Sequence, residues 1–269
     1  MFRLTRDAGH GGNDPGAIGT TRLQEKDVVF NIVNRLGSIF DNQCSGIIHN
    51  TTRNDDRFVS LQGRCDIANQ FKADFFASFH VDSAQPTGKR FTTYIQTGVN
   101  AETKRLAEAL HNEIWKYYMQ FGVFTNGGVR EHNLHVLRNT NMPACLFENG
   151  FINNPEHEML LSQFHENGFL DGLARSYAEA FAKVFGFKIN SQENNNVNDD
   201  VSKHIGIATI TANPRANLRE SKSTNSPIKK TLNKGEKYIV WSIERGEDGY
   251  NWYNVGGWIR EDVASYQSN

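Results

Sequence analysis

Long apolar runs are missing from this chain of 269 residues. None approaches the roughly 18 residues needed to cross a bilayer. The first ten residues hold Arg3, Arg6 and Asp7 but no apolar core of about 7–15 residues, so no secretory signal peptide is expected. Cysteine is scarce: Cys44, Cys65 and Cys145 are odd in number and widely spaced. That pattern offers neither a disulfide framework nor a Cys-x-x-Cys zinc knuckle, and it reads as reduced, buried thiols in a protein made in the cytoplasm. An excess of either charge is missing too, with 29 Lys and Arg against 30 Asp and Glu, and 10 against 10 within residues 190–269. The balance speaks against a nucleic-acid or anionic-membrane partner. A monomer is expected.

What is present divides the chain in two. Through the first two-thirds, strand-like and helix-like periods alternate. Phe2 to Thr5 reads as a strand. Glu25 to Asp41 places Val28, Ile32, Leu36 and Ile39/Phe40 on one helical face. Ser60 to Gln70 and Asn100 to Phe121 repeat apolar residues at the same spacing, and Pro155–Leu161 and Glu166–Phe185 read as closing helices. Asp74 to His80 and Ala144 to Phe147 are short apolar runs of strand length. The alternation predicts an α/β domain with a mostly parallel sheet flanked by helices on both faces, over residues 1–189. An asparagine-rich polar run then reads as a linker at 190–204. Residues 205–269 change to short alternating strands between turn residues, the pattern of a small all-β barrel.

The chemistry-bearing residues stand at the ends of strand-like runs, where open parallel sheets collect functional side chains. His10 lies in the glycine-rich turn Asp7-Ala8-Gly9-His10-Gly11-Gly12-Asn13-Asp14-Pro15-Gly16-Ala17. His80 closes Ala77-Ser78-Phe79-His80, and Glu148 follows Cys145-Leu146-Phe147. Glu25 opens a helix just after the first turn, placed to aim a carboxylate into the same crevice. Two histidines and a carboxylate with a position left for water make a catalytic zinc site, and a second, unbound carboxylate is needed to move the proton. The pattern alone leaves open which carboxylate takes which duty. Taken singly, each residue also has an ordinary structural role: a solvated histidine, or an acid in a helix first turn. The glycine-rich turn fails both the dinucleotide and the Walker patterns, since Ala17-Ile18 stands where Lys-Ser/Thr is required.

Together these segments resemble the zinc-dependent N-acetylmuramoyl-L-alanine amidases of the Amidase_3 type, found in bacterial autolysins and phage endolysins. The resemblance covers roughly residues 2–186. It rests on the His10 turn, Glu25-Lys26-Asp27, Thr52-Arg53, Leu61, Arg64, Ala68-Asn69, Ala73-Asp74 through His80, Val136-Leu137-Arg138, Pro143 and Glu148-x-Gly150-Phe151-Ile152-x-Asn154. It implies zinc held by His10, Glu25 and His80, with Glu148 as the catalytic carboxylate. The implied reaction is hydrolysis of the amide between N-acetylmuramic acid and L-alanine in peptidoglycan. Two departures stand out: Ala8 replaces a usual proline, which should loosen the turn, and Asp82 replaces a common asparagine. His132 and His135 read as surface or substrate-groove residues, and Arg130 as a solvated arginine, the competing reading being a contact to a stem-peptide carboxylate.

The C-terminal part resembles a bacterial SH3-type cell-wall-binding domain, through Asn217-Leu218-Arg219, Lys234-Gly235, Trp252-Tyr253-x-Val255 and Gly257-Trp258-Ile259. Trp252 and Trp258 are expected in its core, with Tyr250 or Tyr253 exposed for stacking on the wall polymer. The expectation is thus a modular peptidoglycan amidase, held inside the cell until it reaches the wall. The competing readings are a zinc peptidase or deacetylase cutting another peptidoglycan bond, and a wall-binding protein without catalysis.

Overall fold

The computed structural model describes residues 1–84, 87–164, 168–190 and 205–268. The chain divides into two compact units, the first built on Met1–Phe164 and the stretch from Phe169, the second holding the C-terminal residues. The expected linker lies, from residue 191 to 204, outside the described residues. Among the described residues no helix is long and apolar enough to cross a membrane. The three cysteines are free, Cys65 and Cys145 buried and Cys44 only half-buried.

In chain order the first unit runs β1 (Phe2–Ala8), α1 (Glu25–Gln43), β2 (Cys44–Ser45), β3 (Ile47–Thr51), α2 (Leu61–Phe71), β4 (Phe75–Asp82) and β5 (Arg90–Ile95). It continues with α3 (Ala101–Tyr118), β6 (Thr125–Glu131), α4 (His135–Arg138), β7 (Ala144–Phe151), α5 (Pro155–Leu161), α6 (Phe169–Phe185) and β8 (Lys188–Ile189). Six strands make one sheet in the order β3-β1-β4-β7-β5-β6, while β2 pairs with β8. The sheet is parallel across β3, β1, β4 and β7; β5 runs antiparallel to β7 and carries β6 parallel to itself. The expected α/β architecture is therefore present, with its last two strands reversed.

Strand alternation explains the layering. Phe75 and Phe79 of β4 meet Phe181 and Tyr177 of α6 edge-on. Phe76, on the opposite face, packs with Cys65 and Ala68 of α2, Val136 and Leu137 of α4, and Ala144 and Leu146 of β7. Both faces are covered, which is why β4 and β7 read as apolar runs. Helix starts follow local chemistry: the Ser60 side chain accepts from the Gly63 N–H and that of Asn100 from the Thr103 N–H, while Asn154 caps α5 ahead of Pro155. The sequence reading did not contain β3, β5 or β6. β3 and β6 are edge strands rich in polar residues, where little burial is needed to mark a pattern. Of the expected closing helix, the described part starts at Phe169.

The second unit is antiparallel throughout: β9 (Gly206–Ile210), β10 (Arg215–Arg219), β11 (Ile228–Asn233), β12 (Lys237–Val240), β13 (Ser242–Arg245), β14 (Asn251–Asn254), β15 (Trp258–Arg260) and β16 (Ala264–Ser268). They form a five-stranded sheet, β11-β10-β15-β14-β13, and a three-stranded one, β12-β9-β16. Ile210, Leu218, Leu232, Val240, Val255 and Ile259 fill its core. Trp252 is buried as expected, but outside that core, and donates from Nε1 to Asp248 (3.1 Å); Trp258, also expected in the core, is only half-buried and lies outside it, which corrects that expectation. Tyr253 belongs to the same core, which corrects the expectation of an exposed ring: its position in β14 turns it inward, and Tyr266 stacks on it. Tyr250, in the turn before β14, is exposed, with the Arg260 guanidinium 4.4 Å from its ring centre.

One polar residue ties the two sides of the first unit together. Asn149, fully buried in β7, accepts hydrogen bonds from the hydroxyls of Tyr118 (2.8 Å) and Tyr177 (2.7 Å). Its amide donates to the carbonyls of His80 (3.0 Å) and Phe147 (3.1 Å). Asn149→Leu would strand two buried hydroxyls and a carbonyl, and should destabilise the domain by about 2–4 kcal/mol. An unfolding free energy from urea titration lowered by less than about 1 kcal/mol would show that these groups find other partners.

Candidate metal centre and active site

Three of the four residues singled out from the sequence converge at the carboxyl ends of the parallel strands. His10 stands two residues past β1, His80 lies within β4, and Glu25 is the first residue of α1. One ligand atom from each lies within 4.8 Å of the others. Oε1 of Glu25 is 3.1 Å from His10 Nε2 and 2.9 Å from His80 Nδ1, and it accepts from the Val81 N–H (3.0 Å). Its other oxygen accepts from the Ala17 N–H (2.8 Å). The two imidazoles stand edge to face, 4.9 Å between ring centres.

The local chain is built to present these groups. His10 adopts a left-handed φ of 59°, which is costly for a residue with a side chain and is held by its surroundings. Arg64 donates to the carbonyls of Ala8 (2.5 Å) and His10 (2.6 Å); Arg53 donates to those of Ala8 (3.0 Å) and Gly9 (3.1 Å). Two buried guanidinium groups thus grip three consecutive carbonyls. Asp7 accepts from Arg64 (2.8 Å), Thr52 (2.6 Å) and Ser78 (2.6 Å). Burial would raise its carboxyl, but Arg64 and the two hydroxyls hold it below the usual range. Ala8 was expected to loosen this turn. It is fully buried, and its carbonyl accepts from both Arg53 and Arg64.

Asp14, quoted in the turn without a role, sits 2.9 Å from His10 Nδ1 and leaves Nε2 to face the centre. Burial lowers the affinity of His10 for a proton, but Glu25 and Asp14 outweigh it and raise the imidazole above its ordinary value. For Glu25, burial would push the carboxyl up, yet the hydrogen bonds and charges of the two histidines hold it far below the carboxylate range. Glu158 of α5 escaped the sequence reading altogether. It accepts from the backbone N–H groups and hydroxyls of Thr20 and Thr21, and so fixes the segment that leads into α1. Nothing in the row marks it, because its partners lie about 138 residues away.

Glu148, the fourth residue, is the register partner of His80 in β4 and of Thr92 in β5. It therefore shares the sheet face of His80 rather than ending the strand, since β7 continues to Phe151. Its Oε2 is buried and has no hydrogen-bond partner among the described residues. Burial first, then the charges of Glu25 and Asp82, push its carboxyl well above the ordinary range. Asp82, two residues beyond His80, is likewise raised by burial. A groove of about 420 Å³ opens beside His10 and His80, walled by Phe58, Leu61, Leu134 and Val136, and His135 lines it. His132 and Arg130 are exposed, as read from the sequence.

Two imidazole nitrogens and a carboxylate oxygen, pre-oriented by Asp14 and by backbone N–H groups, suit a divalent ion such as zinc. The buried Glu148 carboxylate one strand away, its proton affinity raised by burial, suits acid–base work. Fold and site thus define an α/β domain with a His-Glu-His donor set at the carboxyl ends of its parallel strands. The chain belongs to the N-acetylmuramoyl-L-alanine amidase family of the Amidase_3 type, whose sequence pattern matches residues 6–183. It is 37% identical over 191 residues to the sporulation-specific N-acetylmuramoyl-L-alanine amidase of Bacillus subtilis, covering 71% of each chain. It is 38% identical over 187 residues to the endolysin of Bacillus phage SPP1, covering 69% of this chain and 66% of the endolysin. Among solved structures, the catalytic domain of CwlV, an N-acetylmuramoyl-L-alanine amidase from Bacillus (Paenibacillus) polymyxa, superposes with a TM-score of 0.62 at 29% identity, over 70% of this chain and all of that one.

Gly9 offers a direct test of the arrangement. A Cβ there would fall 2.3 Å from Cε1 and 2.6 Å from Nε2 of His80. Gly9→Ala should keep its circular dichroism spectrum and lose roughly 100-fold in hydrolytic rate, as the imidazole is displaced by about 1 Å. A rate within twofold of the parent would show that this close approach does not set the position of His80.

Proposed function

We propose that this protein is a zinc-dependent peptidoglycan amidase, cutting the amide between N-acetylmuramic acid and L-alanine and acting on the bacterial cell wall. The observation that carries the reading is the shared Glu25 oxygen between His10 Nε2 and His80 Nδ1, with Glu148 on the neighbouring strand. His10, Glu25 and His80 would hold the zinc. When bound, zinc polarises a carbonyl and lowers the pKa of water towards about 7.

The remaining duties fall to the chain itself. Glu148 Oε2, without a hydrogen-bond partner among the described residues, takes the proton of the attacking water and delivers it to the nitrogen of departing L-alanine. Its raised proton affinity, caused by burial beside Glu25 and Asp82, suits a group that must both accept and donate near neutral pH. Asp14 keeps the His10 ring in one orientation throughout, and Arg53 and Arg64 keep its backbone in place. The groove beside the two histidines gives the substrate an apolar wall on which to lie.

Residues 205–269 form, in this reading, an SH3-like wall-binding module following residues 1–189 and a linker at 190–204. Its exposed Tyr250 is the aromatic surface offered to the polymer. Tethering such a module to the enzyme raises the local concentration of enzyme on an insoluble substrate.

Digestion of purified sacculi, followed by mass spectrometry, should release free L-alanine N-termini on stem peptides. New amino sugars, reducing ends or cuts within the peptide would instead identify another hydrolase. Activity should vanish with a chelator and return with zinc. Glu148→Gln should retain stoichiometric zinc while hydrolysis falls by about 10²–10⁴; a Glu148→Gln protein with near-parental rate would remove this residue from the reaction. Separately, Tyr250→Ala should weaken co-sedimentation with sacculi while leaving cleavage of a soluble muramoyl peptide unchanged. Unaltered sedimentation would exclude that ring from wall binding.

A further inference from the structure

β5 carries a cation, Arg90, that no described residue neutralises by direct contact. Phe91 stacks on His111 of α3, and Thr93 bonds to the same imidazole, so these two side chains face the helix. The alternate residues Arg90, Thr92 and Tyr94 therefore face the other way. Thr92 is the register partner of Glu148. Arg90 thus lies on the face of the sheet that holds Glu148 and His80, one strand beyond Glu148.

Its surroundings are unusual for an arginine. The guanidinium lies 5.6 Å from the ring centre of Phe151, and Nε is buried with no hydrogen-bond partner. Among the described residues its side chain makes no hydrogen bond or ion pair. Leaving such donors unmet is costly, and a planar carboxylate can engage them in pairs. The acids that share this face, Glu25, Asp82 and Glu148, do not reach it as ion-pair partners. Asp82 does feel its charge: burial raises that carboxyl and Arg90 works against the rise. The groove beside the two histidines is walled by Phe58, Leu61, Leu134 and Val136. The centre thus has an apolar groove beside its histidines and, one strand beyond Glu148, a cation with no ion-pair partner among the described residues.

We propose that Arg90 is a specificity residue, binding the free carboxylate that the stem peptide carries on the residue after L-alanine. The inference rests on the amidase reading above. The N-acetylated sugars of the glycan are neutral, whereas that second peptide residue is a glutamate joined through its side chain, with its α-carboxylate free or amidated. The charge of Arg90 distinguishes these two forms. The peptide side of the scissile amide then lies towards β5.

The test compares N-acetylmuramoyl-L-alanyl-D-isoglutamate with its D-isoglutamine amide as substrates of the full chain. The unaltered enzyme should cleave both at similar kcat, with KM about tenfold lower for the acid. Arg90→Gln should raise KM for the acid to the amide's value and leave the amide's kinetics unchanged, and Arg90→Lys should keep part of the preference. Equal KM for both substrates in the unaltered enzyme overturns the proposal, and does so without any variant having to fold. An Arg90→Gln enzyme that loses kcat on both substrates yet keeps the preference also overturns it, since Arg90 would then serve only to offset Asp82. Cleavage of neither substrate at the muramoyl–alanine bond would defeat the amidase reading itself, whereas cleavage of both at equal KM defeats only the role of Arg90.

Discussion

One carboxylate oxygen organises the catalytic unit. Oε1 of Glu25 lies within hydrogen-bond reach of His10 Nε2, His80 Nδ1 and the Val81 N–H. Three segments far apart in the chain meet there: the turn after β1, the start of α1 and the end of β4. A buried carboxylate is tolerated only where it is fully engaged. The two histidines and two backbone N–H groups supply that engagement in the protein alone. A bound cation would replace the imidazole contacts with stronger ones and leave the backbone contacts in place.

Holding that point requires rigidity in a loop that regular secondary structure does not reach. The turn after β1 gets it from buried charge: Arg53 and Arg64 bind its carbonyls, and Asp7 balances Arg64 from beneath. Glu158 does the same for the segment before α1. Asn149 adds a link between the His80 backbone and the tyrosines of α3 and α6. Buried ion pairs and polar networks add little net stability when compared with apolar packing. Here they fix backbone direction, which packing alone does not.

The reversal of β5 and β6 has a chemical consequence. In a wholly parallel sheet, the strand beside β7 would present its own carboxyl end at the site. Running antiparallel, β5 instead brings its first residues, Arg90 and Thr92, alongside Glu148 and Phe151. The acidic centre thereby gains a cation on the strand beyond Glu148. The second unit is chemically simpler: its apolar residues close an antiparallel core and leave Tyr250 on its surface.

The order of helices and strands was legible because burial on both faces writes itself as periodicity. α1, α5 and the runs at β4 and β7 stand close to where their apolar spacing put them. The four chemistry-bearing residues were legible by position, each near the mouth of a strand or the head of a helix, and by the family resemblance of their motifs. Edge strands β3 and β6 were not, because half-exposed strands need little apolar patterning. The inward turn of Tyr253 was missed because strand phase depends on pairing that a single row does not contain. The clamps of Asp7, Arg53, Arg64 and Glu158 join residues 44 or more positions apart. Sequence alone therefore determined which side chains could do chemistry. Tertiary structure decided which of them share an oxygen, which carboxylate is left without a partner, and on which side of it a free cation stands, because those facts depend on distances between segments that only folding brings together.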